Sequence, residues 1–296
     1  MQHNKPKIVA IIPAHLASVR FPKKILFEFF GHPMIEHVRR RALLSKKIDE
    51  VYVATCDREI AIAVSKNGGK VCFSETHHKN GTSRVAEVAK KLDASHIILL
   101  QGDEPLLLPS YVDEVVDAIS NNPGVEAWNG TGPIEDPRDV DKHSFVKCAV
   151  APDNKILYCF RRSPSHALFD IQQKYMRKIL GIIAFRREYL QSLVSLSPTT
   201  IEINESIEQM RIIESGHHLR SVHLDQSLPS VNEPNEIEIN EIRVPIHFPN
   251  IMPDKISIGE PKPNSITHMA ENIKKRMRFN IKFFPIISSI FSCIIL

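Results

Sequence analysis

Two short segments of this chain hold residues whose types and spacing suit phosphate chemistry. The first, PAHLASVRFPKK (residues 13–24), gathers Ser18, Arg20, Lys23 and Lys24 in one loop. A guanidinium offers phosphate oxygens a forked pair of donors, a lysine offers a mobile point charge, and the N–H groups of a turning backbone add further anion contacts. The loop lacks the GxxxxGK[ST] pattern, so it is not a Walker loop. A solvated basic surface is the plainer reading of such a loop, although Pro13 and Pro22 stiffen this one. The second segment is Gln101-Gly102-Asp103-Glu104-Pro105. A carboxylate there suits Mg²⁺, which takes oxygen ligands and binds through one or two carboxylates together with substrate phosphates. Gly102 permits a tight turn, and Gln101 can both donate and accept, as a sugar hydroxyl or carboxylate requires. The plainer reading here is that Asp103 and Glu104 cap a helix starting near Pro109.

Both segments follow apolar runs that read as buried strands. Ile8 to Ile12 precedes the basic loop and Ile97 to Leu100 precedes the acidic turn. Between them, Pro33 to Leu44 has helical spacing, Val51 to Thr55 reads as a strand, and Arg58 to Lys66 as a helix closed by Gly68 and Gly69. Lys70 to Phe73 is a further strand, with helices expected over Ser83 to Leu92 and Tyr111 to Ser120. This alternation predicts an α/β fold with a mostly parallel sheet, whose ligands bind beyond the carboxyl ends of the strands. From about Trp128 the pattern loosens. Phe145 to Val150 and Ile156 to Phe160 are expected antiparallel strands, followed by a strand over Ile182 to Phe185, a helix over Glu205 to Ser215 and a late strand over Leu219 to Leu224. Trp128 is assigned to packing.

The composition narrows the classes. A formal charge of +4 without a basic, aromatic-interleaved stripe argues against a nucleic-acid partner. The five cysteines, Cys56, Cys72, Cys148, Cys159 and Cys293, form no CxxC pair, which suits a reducing cytoplasm better than a zinc or disulfide framework. His77 and His78 lack a third ligand at metal spacing, and His217 and His218 read as structural groups at a helix end. A domain is expected over residues 1–245, with 246–296 as an extension. That tail joins a basic stretch to an apolar end too short to span a bilayer. Surface contact with a membrane is one reading of it, and a packed or disordered extension is the plainer one.

The segments IIPAHLASVRFPKKIL, GHPMIEHV, VYVAT, NGTSRVAEV, QGDEPLL, LYCFRRSP, LGIIAFRREYL, IEQMR and VNEPNEIE occur in the order in which similar segments occur in one known family. Over about residues 7–244 the chain resembles the 3-deoxy-manno-octulosonate cytidylyltransferases, or CMP-KDO synthetases. The resemblance implies a Rossmann-like nucleotidyltransferase fold with a small antiparallel insertion, about residues 128–180, used in dimerisation and sugar binding. It implies a cytoplasmic homodimer that joins CTP to a 2-keto-3-deoxy sugar acid, releasing pyrophosphate, for lipopolysaccharide or surface-polysaccharide synthesis. Ser18, Arg20 and Lys24 would bind the triphosphate, with Gly81, Thr82 and Arg84 near the nucleotide. Arg20, Lys24 and Asp103 would carry the catalysis, and Gln101, Arg161, Glu208 and Gln209 would line the sugar-acid pocket. Asp103 and Asn232 fall at the positions that hold catalytic Mg²⁺.

Four positions depart from that pattern. His15 replaces an arginine, Ser83 an acid, Ile179 a histidine and Asn232 the second metal-binding aspartate. Asn brings a carbonyl oxygen but no negative charge, so metal affinity is expected to fall. The changes leave open an ordinary synthetase, one acting on a different sugar acid, or a catalytically impaired paralogue acting as a nucleotide-binding or regulatory protein.

Overall fold

The computed structural model describes residues 6–18, 20–75 and 78–237. The chain divides into two units, Met1–Ile246 and His247–Leu296, and the second lies outside the described residues, as does the tail reading above. Strand β1 (Ile8–Pro13) is buried at every position. A two-rung antiparallel hairpin, β2 (Glu28–Phe29) and β3 (His32–Pro33), leads into α1 (Met34–Ala42). There follow β4 (Glu50–Thr55), α2 (Arg58–Lys66), β5 (Lys70–Phe73), α3 (Gly81–Lys90), β6 (His96–Leu100) and α4 (Pro109–Asn121). Up to this point the alternation expected from the apolar runs is observed within a residue or two at each boundary.

The second half contains β7 (Ala127–Gly132), β8 (Lys147–Val150), β9 (Ile156–Phe160), α5 (Phe169–Gln172), β10 (Met176–Arg186), α6 (Arg187–Ser195), α7 (Thr200–Glu205), α8 (Gln209–Glu214) and β11 (Leu219–His223). Along the main path the sheet runs β11-β7-β10-β6-β1-β4-β5. The β6-β1-β4-β5 ladders are parallel, as is β11 with β7, whereas β10 runs antiparallel between β6 and β7. The amino-terminal part of β10 also carries β8, and β8 carries β9, both antiparallel. This is the mixed α/β fold with a small antiparallel insertion that the sequence predicts.

Strand alternation sends Ile8, Ala10 and Ile12 to one face and Val9 and Ile11 to the other. The first face packs on Val38 of α1, Val64 of α2 and Val115 of α4, with Trp128 fully buried among them. The second packs on Val88 of α3, Leu190 of α6 and Met210 of α8.

Three departures from the sequence reading have physical causes. β7 was not expected because Asn129, Gly130 and Thr131 interrupt any apolar run, yet all three are buried. Their polar atoms are satisfied internally: Asn129 Nδ2 donates to Leu180 O at 3.0 Å, and Thr131 Oγ1 shares a 2.7 Å bond with Ser221 Oγ. The expected helix over Glu205 to Ser215 is broken at Ser206, whose φ of 53° closes α7. The strand expected at Ile182 is the end of the much longer β10, and α6 behind it was not expected.

Candidate active site

The acidic turn leaves the end of β6 clamped on two sides. Gln101 N donates to Gly181 O at 2.8 Å and Gly181 N donates to Glu104 Oε1 at 2.8 Å, so both neighbours of the turn's core engage one residue of β10. On the other side Val231 N donates to Asp103 O at 2.8 Å, which draws the segment after β11 over the turn. Two glycines make this possible. A Cβ on Gly102 would lie 2.7 Å from Ile25 Cδ1, and one on Gly181 would lie 2.5 Å from Glu104 Oε1. Burial, then the neighbouring Asp103 charge, pushes the Glu104 carboxyl up to about 7, opposed by the Gly181 N–H and by Lys178. The helix-capping reading of these acids fails: Leu108 is the cap residue of α4 and no side chain caps it.

The basic loop is folded on itself at the end of β1. Leu16 O accepts from Ser18 N at 2.9 Å and from Lys23 N at 3.3 Å, and Ser18 Oγ accepts from Phe21 N at 3.4 Å. Leu16 N donates to Asp57 Oδ2 at 2.9 Å, which ties the loop to the end of β4. Lys23 adopts a left-handed φ of 57°, and the two adjacent lysines part there. The Lys23 ammonium reaches out to Glu59 at 2.7 Å, while Lys24 turns in to Asp103 Oδ2 at 2.6 Å and Val231 O at 3.1 Å. Arg20 lies over the same segment, 3.9 Å from Glu233 Oε1. His15 has its pKa lowered by partial burial and by the Arg84 and Lys24 charges, against Asp57 and Asp103. Asp57, which the sequence reading does not single out, precedes α2; its carboxylate makes no cap bond and holds the loop instead.

Opposite the loop, Asn80 caps α3 by accepting from Ser83 N at 2.9 Å, and the first turn brings Gly81 and Thr82 to the site with the positive end of the helix dipole. Ser83 Oγ is engaged within that turn, donating to Asn80 O. Thr82 Oγ1 donates to Glu208 Oε2 at 2.5 Å, and burial raises the Glu208 pKa. Thr82, Gln101, Glu208 and Gln209 converge on a cleft of about 140 Å³, with Ile183 and Phe185 on its apolar wall. Gln209 is oriented by a 3.1 Å bond from its Nε2 to Asn129 Oδ1, so the polar atoms of β7 serve the site as well as the sheet.

Two expected site residues are placed elsewhere. Arg161 does not line this cleft. Its guanidinium donates to the carbonyl oxygens of Glu205, His143 and Ser206 at 2.9–3.1 Å, beside a second cavity bounded by Tyr158 and Phe160. Arg84 is buried, with Nη1 2.5 Å from Ser74 Oγ, and its charge helps to lower the His15 pKa. Ile179 packs against the second core. His78 bonds to Glu87 at 2.7 Å, and His77 lies outside the described residues.

Among the described residues no group of three or more His, Cys, Asp or Glu is arranged to hold a metal. The turn offers the Asp103 carboxylate, and Asn232 follows Val231, whose N–H donates to Asp103 O at 2.8 Å; the Asn232 amide donates through Nδ2 to Ser230 Oγ at 2.7 Å. One carboxylate and one amide oxygen fit a Mg²⁺ ion that takes its remaining ligands from water and substrate phosphates.

A mostly parallel sheet with a basic loop, a helix amino terminus and an acidic turn at its carboxyl edge is the arrangement of a nucleotidyltransferase, and similarity to known proteins places the chain in that class. A family model described as Cytidylyltransferase matches residues 9–221. The 3-deoxy-manno-octulosonate cytidylyltransferase of Geobacter sulfurreducens is 35% identical over 242 residues, which cover 78% of this chain and 96% of that one. The enzyme of the same name from Chlorobium limicola is 36% identical over 237 residues. More particularly, then, the chain belongs to the 3-deoxy-manno-octulosonate cytidylyltransferase family. A solved structure of CMP:2-keto-3-deoxy-manno-octonic acid synthetase complexed with CTP superposes with a TM-score of 0.75 at 33% identity, covering 80% of this chain and 97% of that one. The 4-diphosphocytidyl-2C-methyl-D-erythritol synthase of Anaerococcus prevotii, at 14% identity and a TM-score of 0.56, shares the fold.

Proposed function

We propose that this chain couples CTP to 3-deoxy-manno-octulosonate, giving a CMP-sugar and pyrophosphate. The observation that carries this reading is the meeting of Lys24, Asp103 and the 231–233 segment beside the cleft lined by Thr82, Gln101, Glu208 and Gln209. Attack of the sugar's anomeric hydroxyl on the α-phosphorus brings two anions together, so neutralising and aligning them is the main task of the site. Arg20, Lys24 and the first turn of α3 supply positive charge for the triphosphate, and Ser18 shapes the loop that carries the two basic residues. The hydroxyl-rich body of the sugar suits the amides of Gln101 and Gln209, and the Thr82–Glu208 pair fixes that wall. Asp103 and Asn232 would hold Mg²⁺, which when bound supplies electrostatic stabilisation of the phosphoryl group.

The same reading takes the protein to be a cytoplasmic homodimer that serves lipopolysaccharide or surface-polysaccharide synthesis. Among the described residues β9 forms its ladder with β8, and beyond the Lys155–Arg220 bridge that precedes it the strand leaves an edge that suits pairing with a second copy. Light scattering at micromolar protein checks the dimer, and a monomer at all concentrations removes it. The test of the activity is pyrophosphate release from CTP, Mg²⁺ and 3-deoxy-manno-octulosonate. Release that needs all three supports the reading, and none above blank, across a panel of 2-keto-3-deoxy acids and nucleotides, overturns it. Asp103→Asn is expected to lower kcat/KM by roughly a hundredfold or more.

A further inference from the structure

Lys24 and a divalent cation would compete for the same carboxylate. The Lys24 ammonium lies 2.6 Å from Asp103 Oδ2 and 3.1 Å from Val231 O, next to Asn232. The two side chains of the pair are only 16% and 23% exposed, so solvent screens the site poorly. A doubly charged ion approaching the carboxylate, even at Oδ1, meets the ammonium held on Oδ2 a few ångströms away, and the repulsion of two cations at that range weakens its binding in such surroundings. The backbone of Lys24 is fixed: Lys23 precedes it in the left-handed region, Lys24 N donates to Phe21 O and Phe27 N donates back to Lys24 O. The four-carbon side chain is what is left to move. Lys24 belongs to the loop that carries Arg20, so a triphosphate held on that loop offers the ammonium an alternative partner with more negative charge than Asp103.

We propose that Lys24 is a placeholder: it holds the cation position closed until a nucleotide triphosphate draws its ammonium away, so that uptake of the divalent ion requires nucleotide. The coupling is reciprocal, and each ligand strengthens the binding of the other. This rests on the reading of Asp103 as a metal ligand in a cytidylyltransferase, and adds the order in which the site fills.

The test uses full-length, nucleotide-free protein titrated with Mn²⁺ and followed by the electron paramagnetic resonance of the free ion. Wild type is compared with Lys24→Met, Lys24→Gln and the Lys24→Met/Asp103→Asn double variant, all checked for wild-type melting. Losing a charge-assisted hydrogen bond as competitor predicts one Mn²⁺ bound about ten- to hundredfold more tightly by both Lys24 variants. The gain should vanish in the double variant. Equal Mn²⁺ affinity in wild type and both Lys24 variants, where the wild-type preparation releases pyrophosphate, overturns the placeholder and leaves the function standing. A gain that survives Asp103→Asn puts the ion elsewhere and overturns both the placeholder and the metal role of Asp103. Wild-type crystals soaked in MnCl₂ need no variant: an anomalous peak at Asp103 with Lys24 still bonded there also overturns the proposal.

Discussion

Asn232, next to the Val231 whose N–H donates to Asp103 O, carries an amide where a carboxylate would bring charge, and its neighbour Glu233 lies 3.9 Å from Arg20. Restoring the charge with Asn232→Asp is expected to lower the Mg²⁺ concentration for half-maximal pyrophosphate release by about tenfold, since a second anionic ligand strengthens a hard-cation site. An unchanged Mg²⁺ dependence would show that the amide oxygen is sufficient. Asp57 acts one step back. Asp57→Ala frees Leu16 N and should raise KM for CTP several-fold more than it lowers kcat, because the loop it holds carries the triphosphate's partners. Outside the site, burial and then the Arg186 guanidinium push the His96 imidazole down to about 4, below its ordinary value of 6.5. The unfolded chain then binds more protons between those values, so stability is full above pH 6.5 and falls as pH drops toward 4. The loss is at most about 3 kcal/mol, readable by urea titration at a series of pH values and flattened in His96→Gln. At this scale the sequence showed where Lys24, Asp103 and Gln101 would lie, because each follows a buried strand, and the structure brings Lys24 against Asp103 with Gln101 in the adjoining cleft. It was not legible where the partner is distant in the chain: nothing in the sequence pairs Asp57 with Leu16 N, or surrounds Arg161 with the carbonyl oxygens of His143, Glu205 and Ser206.

Among the elements, β10 has the most demanding environment. Its register against β7 shifts between Ile179 and Ile183, and Gly181 sits in that irregularity with Gln101 and Glu104 packed against it. Gly181→Ala would place a methyl group within 2.5 Å of Glu104 Oε1, so the turn must move. The expected result is destabilisation of about 1–3 kcal/mol by thermal or urea melting, with a larger proportional loss of kcat than an overpacked core site elsewhere would give. A full-rate, fully stable variant would show that the turn tolerates displacement. The parallel half of the sheet was readable because strands buried on both faces appear as unbroken apolar runs. β7 was not, because it buries Asn129 and Thr131 on side-chain hydrogen bonds that no periodicity reveals. Nor was the break at Ser206, since a left-handed serine carries no signal of its own.

At the scale of the whole chain, the candidate site residues fall within the unit Met1–Ile246. The relative from Geobacter sulfurreducens is matched over 96% of its length by 78% of this chain, so the residues beyond that unit add to what such a protein contains. A chain ending at Ile246 is expected to release pyrophosphate within about a factor of two of the full-length rate, a steady-state comparison that a strong loss would contradict. Among the described residues no helix is long and apolar enough to cross a membrane.

β10 also links parts of the molecule that are far apart in the chain. Its amino-terminal rungs hold β8, and its middle holds the acidic turn through both the N–H and the carbonyl of Gly181. Fraying of the β8–β9 ribbon therefore removes the support of the rungs that precede Gly181. Amide deuterium uptake at Cys148, Arg177 and Gly181 should rise together on mild denaturation, as one cooperative opening unit, ahead of the slow-exchanging centre at Ile11 and Leu99.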